Sequence, residues 1–233
     1  MFDISILGSA MPALVKGAWL TLKLTAWVIV LGTLLAFPVA LCRNSRSAGL
    51  RAAANGYVLF FRGTPSLLQI FLLYYGASQF EILRNSPLWP VLRDPFWCVV
   101  IALGLNSASY TGKTLAAALA AVPRGMREAA SVLGFSRLHA FWLIELPLAV
   151  RTALPAFGNE IILTSKATSL GSTVTLLELT GTARLLTAET YAPYEVFLGA
   201  GIVYLVLNYS LMLGMRKLET SLSHSNQLEH KAP

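Results

Sequence analysis

The sequence predicts an all-α integral membrane protein with five transmembrane helices and its N-terminus outside. Three observations carry that prediction: a shortage of charge, five apolar runs, and an uneven placement of Lys and Arg. Of 233 residues, 55% are hydrophobic and only 12% charged, about half the charged share of a soluble domain. With a mean hydropathy of +0.62, a chain this short cannot hide its apolar side chains in one core, so lipid must solvate part of it. The net charge of +7 would suggest nucleic acid in a soluble protein, but here it fits cytoplasmic loops rich in Lys and Arg.

The first run covers about 14–41, interrupted only by Lys16 and Lys23 near one end, and is long enough to cross with some tilt. RNSRS follows it with no A-x-A site, so it reads as a retained signal anchor. The second run, about 66–80, comes after Phe61-Arg62-Gly63-Thr64-Pro65. Pro65 lacks an N–H and restricts Thr64, which breaks the helix before that run. The third run is 96–122, the fourth 154–177 and the fifth 194–215. Between the third and fourth lies a more charged stretch of helical composition, with Arg124, Arg127, Glu128, Arg137, His139, Glu145 and Arg151. It is expected to be ordered but not to span.

Orientation follows from the cations. With the N-terminus outside, eleven Lys and Arg, Arg62 among them, fall in inner segments, and Lys16, Arg84, Arg93 and Arg184 in outer ones. Lys23, Lys113 and Lys166 remain within spans, and the C-terminus is cytoplasmic. Cys42 and Cys98 then sit at opposite membrane faces, too far apart for a disulfide. Neither they nor the scattered His139, His224 and His230 match a metal-ligand spacing, so no metal is expected. Aromatics such as Phe71, Tyr74, Tyr75, Trp89 and Trp97 suit an interfacial belt and packed helices. The reading gives one membrane domain over residues 1–221, with the charged loop at about 123–150, and a polar cytoplasmic tail over 222–233.

The charged loop is the most specific segment. It reads Glu128-Ala129-Ala130, three residues, Gly134, nine residues, then Ile144-x-Leu146-Pro147. Glu128 is expected in a first helical turn, complementing the helix dipole, and Ala129 and Ala130 permit close approach of another surface. Gly134 suits a left-handed helix end, a second helix is expected from about Ser136, and Pro147 is expected to close the unit. Taken alone, the spacing also fits an amphipathic helix pair lying on the membrane.

This pattern resembles the signature EAA loop of the membrane subunits of bacterial ABC importers, with every fixed position present. Phe61–Pro65, Asn106-Ser107-Ala108-Ser109-Tyr110-Thr111, Leu154-Pro155-Ala156-Phe157-Gly158-Asn159-Glu160 and the stretch Ser172–Arg184 look like the polar amino acid family, in its histidine, arginine and opine permease branch. The resemblance covers Gly17 to about Glu219. It implies a permease for a basic amino acid or opine in the bacterial inner membrane, working by alternating access. It also implies a cytoplasmic ABC ATPase dimer, a second permease subunit (a hetero-pair favoured, a homodimer possible), a periplasmic substrate-binding protein and a surround of lipid, with no nucleic acid. Glu128, Ala129, Ala130 and Gly134 match the coupling helix that enters a groove on the ATPase. The chain is then no enzyme and holds no cofactor of its own, ATP and Mg being bound by the ATPase. Gly112-Lys113-Thr114 mimics the end of a phosphate loop, but the leading glycine position is Ser107 and the stretch lies in a span.

Polar residues inside spans point to a water-lined path or to paired groups. Asn106, Tyr110 and Lys113 share one face of the third span by their i, i+4, i+7 spacing, and Glu160, Thr164 and Thr168 share one face of the fourth. The two stripes suit a substrate pathway, with Glu160 for an amino or guanidinium group and Lys113 for a carboxylate. The same spacing also fits a Lys113–Glu160 pair, or a snorkelling Lys113 with Glu160 at a helix start. The resembled family has Glu where this chain has Lys113 and Arg where it has Ala117. That departure suits either an altered substrate or a swap compensated in the partner subunit. An ion-coupled secondary transporter or channel is the alternative function, and it leaves the EAA loop without a purpose.

Overall fold

The computed structural model describes residues 3–229, with side chains through residue 221. The first helix, α1 (Ile4–Arg43), is 40 residues long, or about 60 Å at 1.5 Å per residue. Asp3 starts it by accepting the Ser5 N–H at 2.8 Å. Its buried face runs Ala10, Leu14, Gly17, Thr21, Leu24, Val28, Gly32, Ala36, Ala40, a step of three or four residues. Residues on that face are small where α1 meets α6 (Pro95–Ala120). Gly32, Ala36 and Ala40 face a matching small series, Gly104, Ala108 and Gly112. A methyl group added at Gly104 would lie 2.7 Å from Leu31, and one at Gly112 2.8 Å from Val39. Small residues four apart let two membrane helices approach closely enough for backbone to touch side chain. The α1–α6 pair is the spine of the molecule.

Between them the chain forms α2 (Ala48–Gly63) and α3 (Ser66–Phe71), bent 101° from one another at Thr64-Pro65. A π turn (Leu72–Gly76) and a 3-10 turn (Ala77–Gln79) extend α3. The break at Pro65 is as the sequence implied, but the apolar run 66–80 is only half of a bent pair whose first limb is α2. Two short helices, α4 (Glu81–Arg84) and α5 (Trp89–Leu92), lead into α6, whose N-cap Asp94 accepts the Phe96 N–H.

After α6 come α7 (Arg124–Val132) and α8 (Arg137–Ala140). Gly134 joins them at φ +79°, and Ser136 caps α8, as the sequence implied. Glu128 stands in the second turn of α7, not the first, because the helix begins at Arg124. Nor does Pro147 close the unit. A π turn (Phe141–Glu145) passes directly into α9 (Leu146–Ala167), and a 3-10 stretch (Thr168–Val174) prolongs it. Pro147 falls in the first turn of α9, where the π turn shifts the hydrogen-bond register and the missing N–H is tolerated. Arg137–Val174 is thus one 38-residue helical element.

Thr175, in the left-handed region, ends that element. The short α10 (Leu179–Thr190) is capped by the fully buried Glu178, which accepts the Thr180 and Gly181 N–H groups at 2.8 Å each. Tyr204 donates to the same carboxylate at 3.2 Å, and Thr21 of α1 accepts the Leu179 N–H at 3.1 Å. The last helix, α11 (Pro193–Glu229), runs eight residues into the segment read as a polar tail; His230 and Lys231 lie outside the described residues. The Asp3 N–H donates to Glu195 at 3.0 Å, so α1 and α11 start at the same end. Asn44 donates to the Ala116 carbonyl at 2.9 Å, which joins the far end of α1 to the far end of α6.

Among the described residues, three helices are long and apolar enough to cross a membrane, or four if the bent pair counts as one. Although α6 is 26 residues long and the most thoroughly buried helix, it is not one of them, because Asn106 to Lys113 interrupt its apolar character.

Candidate functional site

Pro65 creates the local problem around which the site is built. In a continuous helix the Phe61 carbonyl would accept from the N–H of residue 65, and proline has none. The carbonyl is satisfied by two side chains instead. Asn106 donates to it at 2.7 Å and Gln69 at 3.1 Å. The Gln69 amide nitrogen also reaches the Thr64 carbonyl at 3.2 Å and the Thr64 hydroxyl at 2.7 Å, while its oxygen accepts from Asn106 at 3.1 Å. Beside these bonds the Tyr57 hydroxyl donates to the Leu105 carbonyl at 2.6 Å. The bend is therefore fastened to the middle of α6.

That fastening opens a cavity of about 210 Å³ where α3, α6 and α9 meet, lined among others by Ser66, Asn106, Ser107, Tyr110, Glu160 and Thr164. The Ser107 hydroxyl hydrogen-bonds the Glu160 carboxylate, and Arg62 is the positive charge acting on it. The Arg62 guanidinium lies 4.6 Å from the centre of the Tyr110 ring, a cation–π contact. The chemistry of this pocket is one carboxylate, hydroxyls and an amide, with one guanidinium stacked on its Tyr110.

Of the residues singled out from sequence, Asn106, Tyr110, Glu160 and Thr164 line this cavity together, and Lys113 and Thr168 do not. Lys113 is exposed, and the charge near Glu160 is that of Arg62. Thr168 is fully buried, its hydroxyl donating to the Ser165 carbonyl at 2.7 Å. Lys113 stands about 10 Å along the axis from Asn106, past the end of the cavity, and α9 turns 3-10 at Thr168, so both stripes outrun the pocket. Arg62, counted by sequence among the inner segments, stands in the last turn of α2 beside Tyr110, midway along α6. Gln69 and Ser107 were missed. The signal for Gln69 was present: a glutamine four residues after a helix-breaking proline can cap the carbonyl that the proline orphans.

The loop element has its own anchor. Arg127 pairs with Glu145 at 3.0 Å and donates to the Leu119 carbonyl at 2.9 Å, so α7 is tied both to the last turn of α6 and to the turn preceding α9. Glu128 and Ala129 face outward while Ala130 is buried against the rest of the unit. Of the two alanines, one is free for another surface and one is already used.

Residues 28–224 match the family model described as binding-protein-dependent transport system inner membrane component. An octopine transport system permease protein of Rhizobium radiobacter is 46% identical over 208 residues, 89% of this chain and 85% of that protein. The nopaline transport system permease protein of Agrobacterium fabrum is 40% identical over 89% of this chain and 86% of its own. An arginine ABC transporter permease protein of Escherichia coli is 40% identical over 90% and 94%. The crystal structure of an amino acid ABC transporter with histidines superposes with a TM-score of 0.82 at 29% identity, over 95% of this chain and 99% of that one. A methionine ABC transporter in an inward-facing conformation shares the fold, with a TM-score of 0.76 at 19% identity over 91% and 97%. These likenesses exclude the ion-coupled alternative and account for the EAA pattern. The chain belongs to the binding-protein-dependent transport system inner membrane components, as a multi-pass permease subunit of an ABC importer.

Proposed function

We propose that this permease carries a cationic amino acid or an opine inward by alternating access, through the cavity between α3, α6 and α9. The observation that carries the reading is Glu160, a carboxylate in a pocket otherwise lined by neutral groups, with Arg62 stacked on Tyr110 and acting on it by charge. A carboxylate in such surroundings favours a ligand cation, and a guanidinium matches it with two parallel hydrogen bonds. Arginine, octopine and nopaline, after which the relatives are named, all bear a guanidinium and at least one carboxylate. Arg62 suits the carboxylate end, a role the sequence reading gave to Lys113. Asn106, Tyr110 and Thr164 supply the neutral contacts.

The chain crosses the membrane five times with its N-terminus outside, as one domain over residues 1–221 followed by a cytoplasmic extension. The bent α2–α3 pair is the second span and α6 the third. Outward, a periplasmic binding protein delivers substrate. Inward, Glu128, Ala129 and Gly134 engage a dimer of cytoplasmic ATPases that binds ATP and Mg, while Ala130, buried, packs the unit that presents them. A second permease, in a hetero-pair by preference, completes the pathway.

The test is ATP-dependent uptake in proteoliposomes holding this chain with its partner permease, ATPase and binding protein, offering arginine, octopine and glutamate. Glu160→Gln is expected to raise the KM for the guanidinium substrate about tenfold or more, the weight of a hydrogen bond to a charged group. Unchanged kinetics would refute the assignment of Glu160.

A further inference from the structure

The two amides at the broken helix leave a chemical consequence inside the cavity. Gln69 places its nitrogen against three oxygens, those of the Phe61 carbonyl, the Thr64 carbonyl and the Thr64 hydroxyl. A backbone carbonyl only accepts, so the end of Gln69 facing Phe61 and Thr64 must be the N–H₂ end, and its oxygen must turn to Asn106. That oxygen and the Phe61 carbonyl together take both N–H bonds of Asn106, at 3.1 and 2.7 Å. Asn106 has no donor left. Its one remaining function is the Oδ1 acceptor, on a side chain that lines the cavity.

We propose that Gln69 is a specificity-determining positioning residue. By fixing the Asn106 amide it makes the cavity present an acceptor at Asn106, and so selects the N–H-rich cationic end of a substrate. Gln69 is itself buried and does not line the cavity, so it acts through Asn106. Were Gln69 unable to accept, one Asn106 N–H would lose its partner, and the amide, held by the Phe61 carbonyl alone, could pivot on that one bond. The cavity would then meet an unpaired N–H beside an acceptor no longer fixed in place. The device follows from the proline break, because the orphaned Phe61 carbonyl holds both amides in register. This inference rests on the cavity being the substrate site.

The experiment measures binding to the purified permease–ATPase complex without the binding protein, comparing arginine with citrulline, its neutral urea isostere. The wild-type complex is expected to prefer arginine about tenfold or more, consistent with a hydrogen bond to a charged donor. Gln69→Met, similar in size but without acceptor or donor, is expected to lose most of that preference. Gln69→Glu offers an acceptor for Asn106 and, only while its carboxyl is protonated, a donor for the facing carbonyls, so it is expected to keep the preference at acid pH and lose it once ionised. Asn106→Leu removes the acceptor while leaving Gln69 to cap the Phe61 and Thr64 carbonyls. It is expected to lose the preference whether or not the Gln69 variants assemble. Retention of the wild-type ratio in Gln69→Met or Asn106→Leu would overturn the inference while leaving the cavity reading in place. A wild-type complex that binds arginine no better than citrulline would overturn both.

Discussion

Replacing Arg127 with Ala removes the two contacts that fasten α7 to the rest of the molecule, the 3.0 Å pair with Glu145 and the 2.9 Å bond to the Leu119 carbonyl. The pair is partly exposed, with 42% of the Arg127 side chain and 18% of the Glu145 side chain open. An ion pair at such a position contributes only about 0.5 kcal/mol after screening. The charge-assisted bond to Leu119 adds about 1 kcal/mol, at the lower end of its range because the arginine is half in solvent. Together they hold α7 by about 1.5 kcal/mol, so without them the docked arrangement becomes about tenfold less populated relative to a detached one. The consequence is loss of transmission and not of folding, because the α1–α6 spine lies elsewhere. In proteoliposomes of the assembled importer, Arg127→Ala is expected to lower the substrate moved per ATP hydrolysed several-fold while hydrolysis continues. The double exchange Arg127→Glu with Glu145→Arg restores the ion pair but not the Leu119 bond, and is expected to recover the smaller part. Uptake and hydrolysis falling in the same proportion would refute the reasoning, since Arg127 would then act on the ATPase itself.

Further outcomes follow from other contacts. Gly112→Leu forces a side chain into Val39 and the Ala36 carbonyl and is expected to destabilise the α1–α6 pair by about 1–3 kcal/mol, read as a lower melting temperature in detergent. Gly134→Ala sets a methyl group on a left-handed residue in open space, costing about 1 kcal/mol. It is expected to reduce uptake, with Gly134→Asn milder. Burial holds the Glu178 carboxyl above the usual carboxylate range, against the N–H groups of Thr180 and Gly181 and the hydroxyl of Tyr204, which pull it down. Its folded value lies above the unfolded one, so its stabilising contribution is complete below the ordinary 4.5 and is lost as pH rises through the folded value. Glu178→Gln is expected to flatten that part of the melting-temperature profile against pH, and an unchanged slope would count against burial as the cause.

Much of this architecture was legible because membranes leave the backbone few choices. Long apolar runs gave α1, α6 and α11, and the EAA pattern with Gly134 and Ser136 gave the α7–α8 unit. What escaped was what depends on partners distant in sequence. α2 is too mixed in composition to stand out, and its path is fixed by contacts of Tyr57 and Phe61 with α6. Pro147 looked like a stop, yet proline in a first helical turn costs little, and a π turn before it has no sequence signature. At the cavity, helical spacing brought Asn106 together with Tyr110 and Glu160 with Thr164, but how far the cavity reaches along each helix, short of Lys113 and Thr168, is set by packing. The contact of Arg62 with Tyr110 went unforeseen because the helix that carries it was unseen.

The continuous helical run from Arg137 to Val174, with Pro155 inside it, also has the proportions of a lever. At 1.5 Å per residue its 38 residues form an arm of about 57 Å, with Glu160 about 35 Å from the end that follows Gly134. A tilt of about 5° at that end would swing the Glu160 carboxylate by ~3 Å, roughly one hydrogen-bond length. A small angular stroke at the loop is thus geared up to the distance that separates a held guanidinium from a released one. Val174, farther along the arm, would travel ~5 Å. The π turn at Phe141–Glu145, close to the fulcrum, is where compliance would blunt that stroke, and stiffness there would convert ATP-driven motion into displacement most efficiently.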